Sequence, residues 1–481
     1  MSALMLDLDS SGWFVLTGSP RFKDLINQIP GFTYDSKSSQ WHARPSWSVA
    51  VAARGILGDH MDITEDVRDW ANAQRDRIGA AYTYRSGEWV LPCVQDLGLY
   101  NFQEHGSTFL AMVETALMAD EMGTGKTVQA SVALKCLRTL AEAGHRPSPL
   151  PALVVCTTSM KGKWTEELAK WAGLKAIATG DTKKKRLDAI AAVVAGEYDV
   201  LVTNWNALAL HSRLAPYGSI AMTEQQKTPG ELNGIGWAAV VADEAHKAKD
   251  PKTNWTRALW QLGDQATYRW ALTGTPISGL AEDLWSIMRF VEPREYPIRS
   301  RFIDRYALAG TNHWGGFETY GFNPAHEAEL HAFLDPRLIR RTKAEVLPEL
   351  PPKTFELRKV QMGTKQAKAY KDMKKELLYI DEETGAILMA GDDLSSNGRL
   401  SQISSAMPVL ETVQCEHPET GLPIEVVKVV SLQMPSAKVD ALKDMLEESD
   451  EPLVVGAESR LLLELVAEEL TKKKITHCLI T

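Results

Sequence analysis

ALMADEMGTGKTVQASVAL, residues 116–134, sets an apolar run directly before a glycine turn and a helical pattern directly after it. A strand that enters Gly123-Thr124-Gly125-Lys126-Thr127 and leaves as a helix reads as an anion cradle. Glycines let backbone N–H groups close around phosphate oxygens, and the helix N-terminus adds partial positive charge. In such a cradle Lys126 reaches the β- and γ-phosphates of a nucleotide, and the Thr127 hydroxyl ligates Mg²⁺. The general phosphate-loop pattern asks for glycine at position 120, where this chain has Asp120. That departure weakens the general pattern and leaves a variant of it, with a glycine turn and a chance lysine as the bland alternative.

Working outward, GWAAVVADEAHKAKDP at 236–251 places Asp243-Glu244-Ala245-His246 at the end of another apolar run. Asp243 is suited to hold Mg²⁺ at a strand end, and Glu244 to orient or deprotonate an attacking water. RWALTGTPISG at 269–279 ends a third run in Thr273-Gly274-Thr275-Pro276, which makes Thr273 and Thr275 candidates for a relay between nucleotide and nucleic acid. Between these stretches, apolar runs alternate with helical patterns: ALVVCTT with KGKWTEELAKWAG, DVLVTNW with NALALHSR, AAVVADEAH with NWTRALWQLG. Buried strands followed by crossover helices predict an α/β fold with a parallel sheet covered on both faces.

The order of these motifs resembles motifs I, II and III of the SWI/SNF-like DNA translocases in helicase superfamily two. Further stretches carry the resemblance. LYNFQEHGSTFL is similar to the family's Q-motif, ALVVCTTSMKGKWTEELAKW to motif Ia and DVLVTNWNAL to motif Ib. EDLWSIMRFVEP, LIRRTKAEVLPELPPK, NGRLSQISSAMP and SAKVDALKDML follow in family order, and EPLVVGAESRLLLELVAEEL resembles motif IV. The resemblance implies a RecA-like P-loop lobe, a helical protrusion, and ATP bound between that lobe and a second RecA-like lobe. It also implies translocation on duplex DNA without requiring strand separation. By the same resemblance Gln103 contacts adenine, Gly123 to Thr127 hold the phosphates, and Lys126, Asp243, Glu244 and His246 form the catalytic set. The family usually carries an amide near position 279, where this chain has Ser278-Gly279, which puts fine coupling in question.

The charge balance is −9, from 53 Lys plus Arg against 62 Asp plus Glu, so the whole surface does not attract nucleic acid. Two local stretches differ. Residues 160–190 and 335–376 each carry twice as many basic as acidic residues. Within the family frame Lys161, Lys163 and Lys183 to Arg186 become candidates for a phosphate backbone, as do Arg340, Arg341 and Lys343. A solvated helix face is the plain alternative for each. At 44% hydrophobic and 24% charged, the composition excludes a chain disordered or fibrous throughout. No apolar run reaches the roughly 18 residues that span a bilayer, so no membrane partner is expected. Five dispersed cysteines suggest neither a disulfide framework nor a zinc site. With an acidic N-terminus unlike a signal peptide, they point to a cytoplasmic setting, bacterial or phage, ahead of a nuclear one.

Five segments are expected: a small α+β unit at 1–60, a helical connector at 61–92, and the first RecA-like lobe at 93–290. A mainly helical protrusion with a hairpin insertion at 411–433 follows over 291–433, and an incomplete second lobe over 434–481. GWFVLTGSPRFKDLINQIPGFTYDSKSSQWHA is similar to the HARP-like domain of annealing helicases, a DNA-structure recognition module, although Tyr34 and Trp41 read equally well as core. The sequence ends at THCLIT, ahead of where motifs V and VI would fall. The expectation is therefore slow hydrolysis by this chain alone, and a need for a further segment, in cis or as a separate chain. The leading reading is a DNA-dependent ATPase acting on double-stranded or branched DNA in recombination, replication or repair. A DEAH-box RNA helicase and a noncatalytic ATP-switched nucleic-acid-binding half-motor are the competing ones.

Overall fold

The computed structural model describes residues 4–480 except 30, 276–279, 296–297, 312–316, 381–384, 390–392, 417–422 and 449–450. It divides into two units, Met1–Pro351 and Pro352–Thr481.

The first unit begins with five short strands: β1 (Leu4–Leu8), β2 (Phe14–Gly18), β3 (Thr33–Asp35), β4 (Gln40–Ala43) and β5 (Met61–Ile63). They order as β3-β4-β2-β1-β5, with β5 parallel to β1 and the other pairs antiparallel. Thus the start of the expected connector, 61–92, joins this sheet, and most of its remainder is the helix Glu65–Ser86. Phe14, Leu16, Phe32, Val49 and Leu57 are buried in its core, with Trp41 packed against them and Tyr34 exposed.

The main sheet is built from β6 (Thr115–Met118), β7 (Ala152–Cys156), β8 (Ala176–Ala178), β9 (Val200–Asn204), β10 (Ala239–Asp243) and β11 (Tyr268–Leu272). A hairpin of β12 (Ala307–Thr311) and β13 (Phe317–Phe322) follows, and then β14 (Leu338–Ile339). The sheet orders as β14-β6-β11-β10-β7-β9-β8, parallel throughout. Alternate residues feed two cores. Leu117, Leu153, Val155, Val240 and Ala271 lie in one; Met118, Val154, Val202, Val241 and Trp270 lie in the other. Burial on both faces is why these strands read as continuous apolar runs. The edge strand β14 comes from the stretch read as protrusion, so the lobe continues well beyond residue 290.

One expectation about cysteines is corrected. Cys93 and Cys136 are joined as a disulfide, tying the segment before helix Asn101–Val113 to helix Lys126–Glu142. The two stand 43 residues apart in sequence, but folding brings their Cα atoms to 5.8 Å, which linear spacing does not reveal.

The second unit holds the helices Thr364–Glu376 and Asp393–Ser405, and the antiparallel pair β15 (Leu378–Ile380) and β16 (Ile387–Met389). The expected hairpin insertion is β17 (Met407–Glu416) with β18 (Pro423–Gln433), followed by helices Ala437–Glu448 and Arg460–Lys472. Strands expected at 451–457 and 475–481 do not form among the described residues. A parallel strand exists only through a ladder with a neighbour, and no described strand lies alongside either segment. Val454 and Ile480 are consequently exposed.

Candidate nucleotide site

A parallel sheet delivers every strand's C-terminal end to one edge, and there β6, β10 and β11 bring the three motifs together. The phosphate loop needs left-handed backbone at Gly123 (φ +83°) and Gly125 (φ +79°), which only glycine adopts at little cost. Helix Lys126–Glu142 then starts at once. Gln103, on helix Asn101–Val113, donates from Nε2 to the Thr124 carbonyl at 3.1 Å, and its Oε1 accepts from Tyr100 N at 3.2 Å. Its amide therefore braces the loop.

Lys126 Nζ donates to the carbonyls of Asp120 (2.8 Å) and Glu121 (3.2 Å) inside the loop. Burial pulls its pKa below the ordinary lysine value, against the opposing pull of Asp120, Glu244, Asp243 and Glu121. Asp243 is buried at the end of β10, and that burial raises its carboxyl above the usual range. It accepts from the Trp164 indole N–H at 2.8 Å and from Glu244 N at 3.0 Å. Glu244 has φ +52°, a left-handed conformation that a non-glycine residue adopts at a cost of roughly 1–3 kcal/mol. This turn re-aims its carboxylate, whose Oε2 is buried without a hydrogen-bond partner and lies 3.2 Å from His246 Nδ1. The same His246 nitrogen is 3.2 Å from Thr273 Oγ1, and that oxygen accepts from Thr275 N at 3.2 Å. Motifs two and three therefore touch through His246 and Thr273. The Ser278-Gly279 departure lies outside the described residues.

Sequence reasoning missed two features of this site. Trp164 is fully buried and orients Asp243, although 79 residues separate them in the chain. In the sequence it was legible only as part of the helical pattern KGKWTEELAKWAG. Asp120, the non-glycine residue of the loop, is fully buried and paired with Arg341, whose guanidinium also reaches the Phe102 carbonyl and Gln129 Oε1. Position 120 departs from glycine because its carboxylate anchors the loop to the segment after β14.

That pairing corrects the expectation for Arg341: its guanidinium is committed to Asp120 and cannot also serve a nucleic-acid backbone. Lys161 is corrected likewise. Its ammonium donates to the Thr179 carbonyl at 2.6 Å and it is 9% exposed. Lys163 and Arg340 do face solvent. Lys343 donates its backbone N–H to Glu121 Oε2 at 2.8 Å, and its side chain lies against Gly123.

Residues 82–419 match the SNF2-related domain. The chain belongs to the SNF2-related family. It is 24% identical over 475 residues to an ISWI chromatin-remodeling complex ATPase of Arabidopsis thaliana, covering 96% of this chain and 40% of that protein. A second Arabidopsis chromatin-remodeling protein is 30% identical over 325 residues, covering 64% of this chain and 37% of its own length. The SNF2-related chain thus spans less than half the length of these curated relatives. Among solved structures it is similar to a Sulfolobus solfataricus SWI2/SNF2 ATPase core in complex with double-stranded DNA. That likeness has a TM-score of 0.40 and 24% identity, and covers 73% of this chain and 64% of the other.

Proposed function

We propose that this chain is the nucleotide-binding part of an ATP-dependent motor on double-stranded DNA, coupling hydrolysis to DNA remodelling in recombination, replication or repair. The observation that carries the reading is the convergence of Lys126, Asp243, Glu244 and the His246–Thr273 contact on one sheet edge. Thr127 and Asp243 offer hard oxygen donors, which fits Mg²⁺, a cation that keeps waters and takes phosphate oxygens. Glu244 Oε2, buried with only His246 Nδ1 beside it at 3.2 Å, is the second point of fit. When bound, Mg-ATP supplies a γ-phosphoryl group whose charge the ion helps neutralise. The Lys126 ammonium exchanges its two backbone carbonyls for phosphate oxygens. Glu244 orients water and accepts its proton, and the His246–Thr273 contact carries the state of that carboxylate to the end of β11.

Duplex DNA is the proposed track. Lys163 and Lys183 to Lys185 are exposed and follow β7 and β8, so they rise from the same edge of the sheet as the phosphate loop. The small N-terminal unit, with Tyr34 exposed, is proposed to favour branched DNA. A fluorescent ATP analogue with Mg²⁺ tests the core of this reading. Lys126→Ala is expected to lose binding, whereas Glu244→Gln keeps it and loses roughly 10²–10⁴-fold in turnover. Equal affinity in Lys126→Ala and wild type would remove the assignment. Comparing stimulation by duplex DNA and by RNA separates the DNA motor from an RNA helicase. Turnover measured before and after adding a polypeptide that carries motifs V and VI separates an impaired enzyme from a noncatalytic switch.

A further inference from the structure

Beyond its edge pairing with β6, the segment after β14 keeps running alongside the phosphate loop. Leu117 N donates to the Arg337 carbonyl at 2.7 Å, Ala119 N to Ile339 at 2.7 Å, and Glu121 N to Arg341 at 2.9 Å. The last of these rungs lies inside the loop itself. Two further ties follow: the Arg341 guanidinium on Asp120, and Lys343 N on Glu121 Oε2 at 2.8 Å. Residues 337–343 therefore form one wall of the loop, more than two hundred residues later in the chain.

We infer that Lys343 is a second phosphate-contacting cation of the nucleotide site, resting on the nucleotide reading proposed above. Its ammonium stands 3.0 Å from where a Cβ on Gly123 would be, with its Cε at 3.1 Å. A side chain at 123 would press the ammonium a few tenths of an ångström away from the loop, so glycine permits this approach as well as the left-handed backbone. Lys343 makes no ion pair among the described residues, whereas its neighbour Arg341 is committed to Asp120. Electrostatics give that free charge a role. Glu121, Asp243 and Glu244 all stand close enough to act on Lys126, and a polyphosphate adds several more negative charges beside them. Lys126 alone is a small counterweight, and an ammonium held half-buried at the loop is positioned to add to it. The backbone ties fix Lys343 in place before a nucleotide arrives, which reduces the ordering cost of the contact.

This reassigns Lys343 from a DNA backbone to the nucleotide, and the two assignments give opposite results. Titrations of the full chain with Mg-ATP, Mg-ADP and tripolyphosphate are compared with titrations by duplex DNA. Lys343→Gln is expected to weaken all three phosphate ligands about five- to tenfold, the effect of one partly exposed charged hydrogen bond. DNA affinity stays within twofold of wild type, and Lys343→Arg recovers most of the loss. Unchanged nucleotide affinity in Lys343→Gln, or a loss confined to DNA, overturns the inference. Wild-type protein that binds Mg-ATP, with Lys126→Ala abolishing that binding, isolates such a failure to Lys343. Wild-type protein that binds no Mg-ATP overturns the nucleotide reading and this inference with it.

Discussion

Lys161 and Lys163 sit two residues apart on one short helix and serve different ends. Lys161 is buried, with its ammonium on the Thr179 carbonyl and 3.7 Å from Asp181. The Lys163 side chain is 54% exposed and pairs with Glu167 four residues on, at 2.7 Å. The same division runs within the phosphate-loop rim and within the basic run at 183–186. At the rim, Arg341 closes on a fully buried carboxylate. In the run, Arg186 donates to His211 Nε2 at 3.0 Å and to the Asp181 carbonyl at 2.7 Å, while Lys183 to Lys185 stay exposed. Each residue adds one positive charge to a sequence count. Burial and partners decide whether that charge holds the scaffold or faces a ligand.

The sharpest way to break this division is at its most committed charge. Arg341→Ala leaves the Asp120 carboxylate buried and uncompensated, a change that costs roughly 3–5 kcal/mol. Urea unfolding should show that loss, and hydrogen exchange should show faster opening at residues 117–129. The double variant Asp120→Ala with Arg341→Ala should recover part of it, since the orphaned charge is gone. A single variant within about 0.5 kcal/mol of wild type, the range of ordinary surface substitutions, would return Arg341 to the surface charges.

The parallel sheet was legible because strands buried on both faces must be largely apolar: β7 is apolar throughout, and β9 and β10 are so until their C-terminal ends, at Thr203-Asn204 and Asp243. Glycines at 123 and 125 were equally legible, since their backbone demands that residue. What sequence did not reveal were pairings between distant segments: Asp120 with Arg341, Trp164 with Asp243, and Cys93 with Cys136. None of these leaves a periodic trace, because each joins positions fixed only when the sheet closes. The runs at 451–457 and 475–481 fail for a related reason. Their apolar pattern states a preference for extended backbone, but a strand also needs a partner, which one segment's pattern cannot specify.

Trp164 offers a smaller and more selective probe. Trp164→Phe keeps most of the buried ring and removes the N–H that holds Asp243. A hydrogen bond to a charged group contributes about 1.5–3 kcal/mol, and here part of that is expected to appear as looser orientation of a metal ligand. The Mg²⁺ concentration giving half-maximal ATP binding should rise roughly tenfold, in line with the effect of removing outer partners of metal ligands. ATP binding in excess chelator should not change. A purely structural tryptophan would lower the unfolding midpoint while leaving the Mg²⁺ dependence where it was.

The exposed lysines give the smallest effect in free energy and the most diagnostic in form. Lys183, Lys184 and Lys185 occupy the first turn of helix Lys183–Val194, capped by Thr182. Positive charge there opposes the helix dipole by about 0.3–1 kcal/mol per residue at low salt. Replacing all three with Gln should therefore leave the unfolding midpoint unchanged or raise it slightly. If they touch a DNA backbone, duplex affinity should fall at low salt. The slope of log K against log salt should then become shallower by up to about 0.9 for each phosphate that is no longer neutralised. Lys161→Gln should do the reverse, lowering stability by removing the bond to Thr179 while keeping the salt slope. Parallel changes in stability and slope for both variants would erase the distinction between committed and free charges on which the DNA-facing assignment depends.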